Sequence, residues 1–164
     1  HSAGCSSALD EILSRPVHEK IATMAGYYRS ILPPDRLPGR QHVDPIDLGL
    51  LLPNVWLIDV IGRSQLRFSY RLMGTRLTKT LNAEVTGRFL DEVHQGFDKS
   101  PVRTALLDVV SSRCPSYRAG QPLVWPRHAV RSLQRIYLPL AGNGIDVDMI
   151  LGLTIFALDD GSDF

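Results

Sequence analysis

Val55-Trp56-Leu57-Ile58-Asp59-Val60-Ile61, then Gly62-Arg63-Ser64, then Leu66-Arg67-Phe68-Ser69-Tyr70-Arg71-Leu72 is the stretch that decides the fold class. Val55–Ile61 is dense in β-branched and aromatic side chains, which fit a pleated surface better than a helix. Leu66, Phe68, Tyr70 and Leu72 alternate with Arg67, Ser69 and Arg71, the period of two of a half-buried strand. Gly62-Arg63-Ser64 is turn chemistry, so the two runs read as a hairpin.

Towards the C-terminus, Thr75–Leu81 and Phe89–Gln95 read as short helices, separated by Asn82 and by Thr86-Gly87. Ser100-Pro101 combines an N-cap with a first-turn proline and opens a longer helix to about Ser112. Its stripe is Val102, Leu106, Val109 and Val110. Three strand-like runs follow: Ser116–Trp125, interrupted by Ala119-Gly120-Gln121-Pro122, then Ala129–Leu138 and Val147–Leu158. Ala141-Gly142-Asn143-Gly144-Ile145-Asp146 is a turn between the last two. Two strands, a helical crossing and three more strands suit one antiparallel sheet with helices on one face, an α+β domain.

Towards the N-terminus, Ser6 to Leu32 reads as helix, with Pro16 dividing a short first turn from the main part. Val17, Ile21, Met24, Tyr28 and Ile31 recur at spacings of four, three, four and three. That spacing serves a helix packed on its own domain and equally a coiled-coil seam. Left uncovered, the stripe would be an exposed apolar patch. Val17, Ile21, Met24 and Tyr28 are expected to be buried on the sheet or, with a slight preference, in a homodimer. Pro33 to Arg40 is rich in Pro and Gly and reads as part of a tether, after which Asp44 caps a short turn begun by Pro45. The expected organisation is 1–36 helix and linker, 37–158 core domain and 159–164 tail.

With 164 residues the chain suggests a single domain. Eighteen basic and seventeen acidic residues leave a net charge of +1, so no overall electrostatic footprint for nucleic acid exists. The longest apolar run, Leu48–Val60, is interrupted by Gly49, Pro53, Asn54 and Asp59 and is too short for the roughly 20 residues of a membrane span. No basic-then-apolar leader opens the chain, which starts at His1 rather than Met. Cys5 and Cys114 form no CxxC motif, so a reduced, cytoplasmic location is expected. GxSxG, GxxxxGK[ST] and GxGxxG are absent, and no enzymatic activity is expected.

The order of elements resembles the PAS sensor domains, and local residues carry the likeness. Leu37-Pro38-Gly39-Arg40 through Asp44-Pro45, Leu51-Leu52-Pro53-Asn54-Val55, Phe68-Ser69-Tyr70-Arg71-Leu72-Met73-Gly74-Thr75 and Val85-Thr86-Gly87-Arg88 resemble a bacterial subgroup of PAS-domain proteins. The resemblance spans roughly Leu37 to Ala157. It implies a five-stranded antiparallel sheet with helices folded over one face and a preceding helix on the outer face or against a partner. It also implies that the space between sheet and helices either holds haem, flavin or a metabolite, or is filled in a module that only contacts other proteins.

Within that resemblance, Thr86-Gly87-Arg88-Phe89-Leu90 has Gly87 where a flavin-adduct photosensor needs its cysteine, which argues against thiol photochemistry. His94 is the one candidate haem ligand, but its neighbours Asp91, Glu92 and Gln95 read as surface. His18, His42 and His128 lack ligand spacing. Arg67, Arg71 and Arg76 around the second strand, and Arg127, Arg131 and Arg135 on the fourth, read as a polar outer face or as a site for an anion. Ser132 and Gln134 share parity with Val130, Ile136 and Leu138, which would put two polar groups among apolar walls. Phe68, Tyr70, Met73, Phe97, Trp125, Ser132 and Gln134 are therefore expected to line a small-molecule pocket, with no cofactor identified. The alternative is a ligand-free module contacting a signalling partner through its first helix and outer sheet face. Only six residues follow Leu158, so no output domain is expected within this chain.

Overall fold

The computed structural model describes residues 2–122 and 130–164. Five strands form one sheet: β1 (Val55–Ile61), β2 (Arg67–Met73), β3 (Ser116–Gly120), β4 (Val130–Leu140) and β5 (Met149–Leu158). Their order is β2-β1-β5-β4-β3, and every neighbouring pair is antiparallel. The expected hairpin is present, but its register shifts between Leu57 and Ile58. Leu57 pairs with Leu72 while Ile58 pairs with Tyr70, so Arg71 is the extra residue of a bulge. The bulge inverts the alternation predicted for β2. Leu72, expected beside Phe68 and Tyr70, is exposed instead, and Met73 joins the core against Trp56.

One face of the sheet carries α4 (Thr75–Leu81), α5 (Leu90–Val93) and α6 (Pro101–Ser112). Ser100 caps α6 as expected, its hydroxyl accepting from the Arg103 amide, and Pro101 occupies the first turn. Gly87 adopts φ +86 at the turn leading into α5, a conformation that favours glycine. Its amide donates to the Tyr70 carbonyl at 2.6 Å, tying this turn to β2.

The opposite face is covered by α1 (Ser2–Leu13), α2 (Glu19–Ile31) and the short α3 (Pro45–Leu48). Pro16 lies in the break between the first two helices, but what precedes it is a twelve-residue helix rather than a short turn. Cys5, Leu9 and Ile12 of that helix are all buried. Ile21, Met24 and Tyr28 are fully buried on the chain's own sheet, and the Tyr28 hydroxyl donates to the Pro139 carbonyl at 2.7 Å. Val17 packs at the edge of the same cluster. Of the two expected covers for the stripe, the sheet and a homodimer seam, it is the sheet that buries it, because β4 and β5 present apolar side chains on both faces and need a second cover.

The segment after α2 is not a free tether. Leu37 is fully buried, its amide donates to the Gly144 carbonyl, and the Pro38 carbonyl accepts from Ala141, which straps the segment to the β4–β5 turn. Asp44 caps α3 through the Ile46 amide, as its position before Pro45 predicts. The last residues are also tied down: Phe156 and Phe164 exchange both backbone hydrogen bonds. Among the described residues no helix is long and apolar enough to cross a membrane.

Burying side chains such as Ile21 and Met24 stabilises the fold by roughly 1.5–3 kcal/mol each. Ile21→Ala is expected to lower unfolding free energy by about 2–5 kcal/mol in urea titrations, and the Ile21→Glu/Met24→Glu double variant should not fold. A double variant that stays folded and merely changes its oligomeric state would show that this stripe is an intermolecular seam instead.

Candidate functional site

A cavity of about 110 Å³ lies between the sheet and α5–α6. All five strands reach it: Trp56 and Ile58 from β1, Tyr70 from β2, Arg118 from β3, and Leu133, Arg135 and Tyr137 from β4. Thr154 of β5 completes the sheet side. Leu90 of α5 and Pro101, Val102, Ala105 and Leu106 of α6 close the other side. A space of about 10–15 Å³ is enough for a single water, so this cavity holds considerably more.

The arrangement starts at a glycine. Trp56 and Tyr137 both pair in register with Gly152 on the central strand β5. A Cβ at Gly152 would collide with the Trp56 indole, so the missing side chain is what lets the ring lie across the sheet. The indole Nε1 then donates to the Thr154 hydroxyl at 3.0 Å. Tyr137 stands edge-on to the indole with ring centroids 5.2 Å apart. The Arg135 guanidinium rests over the Tyr137 ring, 3.8 Å from its centroid, and donates to the Ser116 hydroxyl at 3.1 Å.

Arg135 is only 7% exposed. Burial weakens its hold on its proton, and nearby Arg118 acts in the same direction. Burial pushes the Tyr137 phenol upward, with Arg135 offsetting part of that. The Tyr70 phenol is pushed far above its ordinary range, first by burial and then by Tyr137, so it stays neutral. Its oxygen shares a 2.6 Å hydrogen bond with His94 Nε2. His94 is therefore not a surface residue: it is 3% exposed, packed edge-on to Tyr70. The polar neighbours Asp91 and Glu92 point outward from a one-turn helix, while His94 follows its last turn and folds inward.

Of the residues expected to line a pocket, Tyr70 is on the cavity wall. Phe68 and Phe97 pack edge-to-face with each other in the helix-side core, and Met73 packs against the same cluster. Gln134 is on the opposite face of the sheet: its Oε1 accepts from the His18 amide at 2.8 Å and from the Tyr117 hydroxyl at 3.0 Å. Ser132 shares the parity of Gln134, so the polar pair expected in the pocket belongs to the α2 side. Trp125, Arg127 and His128, with the end of the predicted third strand, lie outside the described residues.

The arginines divide likewise. Arg67 makes a bidentate pair with Asp91 and covers the Phe89 ring. Arg71 faces Asp59 at 3.8 Å, Arg76 donates to the Asn54 side chain at 3.1 Å, and Arg131 is exposed. Arg135, which reads either as part of a polar outer face or as part of an anion site, is in the cavity wall and not on an outer face. From Leu133 to Tyr137 the odd-numbered residues of β4 face α6, and the even-numbered ones from Gln134 onward face α2, whereas Val130, before the register shift at Arg131, packs on the α6 side. Asn54, a residue with no functional reading from sequence, is fully buried and donates to the Thr154 carbonyl at 3.0 Å. Gly152 likewise gave no signal in sequence, since a strand glycine alone does not say which ring crosses it.

Gly152→Ala should displace the indole and lower stability by about 1–3 kcal/mol, measured by chemical unfolding, with a changed Trp56 indole resonance in NMR spectra. An unchanged resonance and stability would contradict the packing described.

No curated protein matches the chain. A family model described as PAS domain matches residues 17–155, which takes in α2, β1 to β4 and most of β5. The match and the five-stranded antiparallel sheet with its helical cover agree, and the chain belongs to the PAS domain family, a family of sensory and regulatory modules.

Proposed function

We propose that this PAS domain is a non-enzymatic sensory or regulatory module that holds a small molecule in the cavity between the sheet and α5–α6. The observation that carries this reading is the cavity itself, about 110 Å³ in volume, with Trp56, Tyr137, Arg135 and Thr154 gathered on apolar walls. A few polar groups among apolar ones is the composition that orients a small ligand. Within this reading, occupancy would be felt on the far side of the sheet. Arg135 faces the ligand, and its neighbour Gln134 accepts the amide of His18 at the start of α2. A shift of β4 around the ligand would reach that cap directly.

A second reading, a protein-interaction module, draws on a different surface from the one predicted. Ile46 and Leu50 are 85% and 90% exposed on the turn before β1, whereas the α2 stripe is buried.

Native mass spectrometry of the purified protein, with thermal-shift measurements across a metabolite panel, decides between them. The small-molecule reading expects a retained mass or a raised melting temperature. It further expects Ala105→Leu, which fills the cavity from α6, to remove that response while the protein stays folded. No bound species in repeated preparations and no shift across the panel would leave the interaction module as the better account.

A further inference from the structure

We infer that the cavity selects an organic carboxylate with a small apolar or aromatic body, its anionic head held by Arg135 and Arg118. The inference rests on the small-molecule reading of the same cavity and names the chemical class of the ligand.

Arg118 and Arg135 sit directly opposite each other on β3 and β4, and both line the cavity. Like charges in direct cross-strand register destabilise a sheet, and a buried charge is costly unless it is paired. Arg67, Arg71 and Arg103, which are more exposed than Arg135, have acidic partners in Asp91, Asp59 and Asp98, whereas Arg40, Arg76 and Arg113 also donate to neutral acceptors. What sets Arg118 and Arg135 apart is that they face each other in register at one cavity. Among the described residues neither Arg118 nor Arg135 has a carboxylate within ion-pair distance. Residues 123–129 contain no Asp or Glu that could supply one. Arg118 donates to the Gln121 carbonyl and Arg135 to Ser116, both neutral acceptors. Two guanidinium groups with neutral partners, one of them buried, form a cradle for an anion from outside the chain.

The shape and the remaining walls restrict the anion. A guanidinium fork matches a carboxylate in a bidentate pair. Beyond the arginines the walls are mainly apolar, with Ile58, Leu133 and Leu106 beside the Trp56 indole, and the Thr154 and Tyr70 hydroxyls are hydrogen-bonded to the indole and to His94. A volume of about 110 Å³ is smaller than the about 150 Å³ cavity that accommodates benzene, so the body is a short branched chain or at most a single ring. A bare inorganic anion would leave those walls unfilled.

Calorimetric titration of the full chain with benzoate, phenylacetate and 3-methylbutanoate, each beside its uncharged amide and beside inorganic phosphate, tests the assignment. At least one acid should bind ten times or more tightly than its amide and than phosphate. Arg135→Met should erase that preference while amide binding persists, and Arg118→Gln should reduce it. Equal binding of acid and amide, phosphate binding as tight as the acids, or a preference that survives Arg135→Met would overturn the carboxylate assignment and leave the small-molecule reading standing. A neutral compound as the only binder from the metabolite panel would do the same. If acids, amides and the panel all fail to bind, the small-molecule reading itself falls. Should Arg135→Met not fold, the acid–amide comparison in the parent protein and in Arg118→Gln decides the question.

Discussion

Trp56 can cross the middle of the sheet only because Gly152 beneath it has no side chain. Most of the cavity depends on that contact. The indole is pinned by Thr154, Tyr137 stands against the indole, and the Arg135 guanidinium lies on Tyr137. A chain of ring contacts thus carries a positive charge into a sheet face that is otherwise apolar. The π-face of Tyr137 and the Ser116 hydroxyl offset part of the cost of desolvating that charge. They do not neutralise it, which is why the electrostatics of the cavity point to an anion.

The second organising fact is that β4 and β5 are buried on both sides. A sheet with two apolar faces needs two layers of cover, and α1–α2 supply the second. These helices are therefore structural parts of the domain, and the α2 stripe is their adhesive. The two layers meet the sheet at adjacent residues of one strand, since Arg135 lines the cavity and Gln134 holds the start of α2. Asn54 adds a second link between layers: it donates to the Thr154 carbonyl of β5, and its side-chain oxygen accepts from Arg76 of α4 and from Lys20 of α2.

Much of this was legible in the sequence where the local signal was also the global one. The β1–β2 hairpin, the Ser100-Pro101 start of α6, the Asp44-Pro45 turn and the turn at Gly87 all read correctly because caps and turns act over a few residues. Failures arose where burial on two faces erased the contrast between inside and outside. In β4 an arginine reads as solvent-facing, and with Ile136, Tyr137 and Leu138 adjacent no apolar parity remains to correct that assignment. Ser132 and Gln134 were assigned to the wrong face for the same reason. His94 reads as a surface residue because a one-turn helix has too few residues for its charged neighbours to define a face. The bulge at Arg71 left no trace in the alternation that it inverts.

The most direct test of the account is an experimental structure of the protein as purified, with attention to the volume around Arg135. The account predicts Arg135 buried over Tyr137, the indole crossing Gly152, and an organic anion or ordered water against the guanidinium, with α2 seated on the far face. A guanidinium swung out to solvent, with side chains filling the space between the sheet and α6, would contradict it.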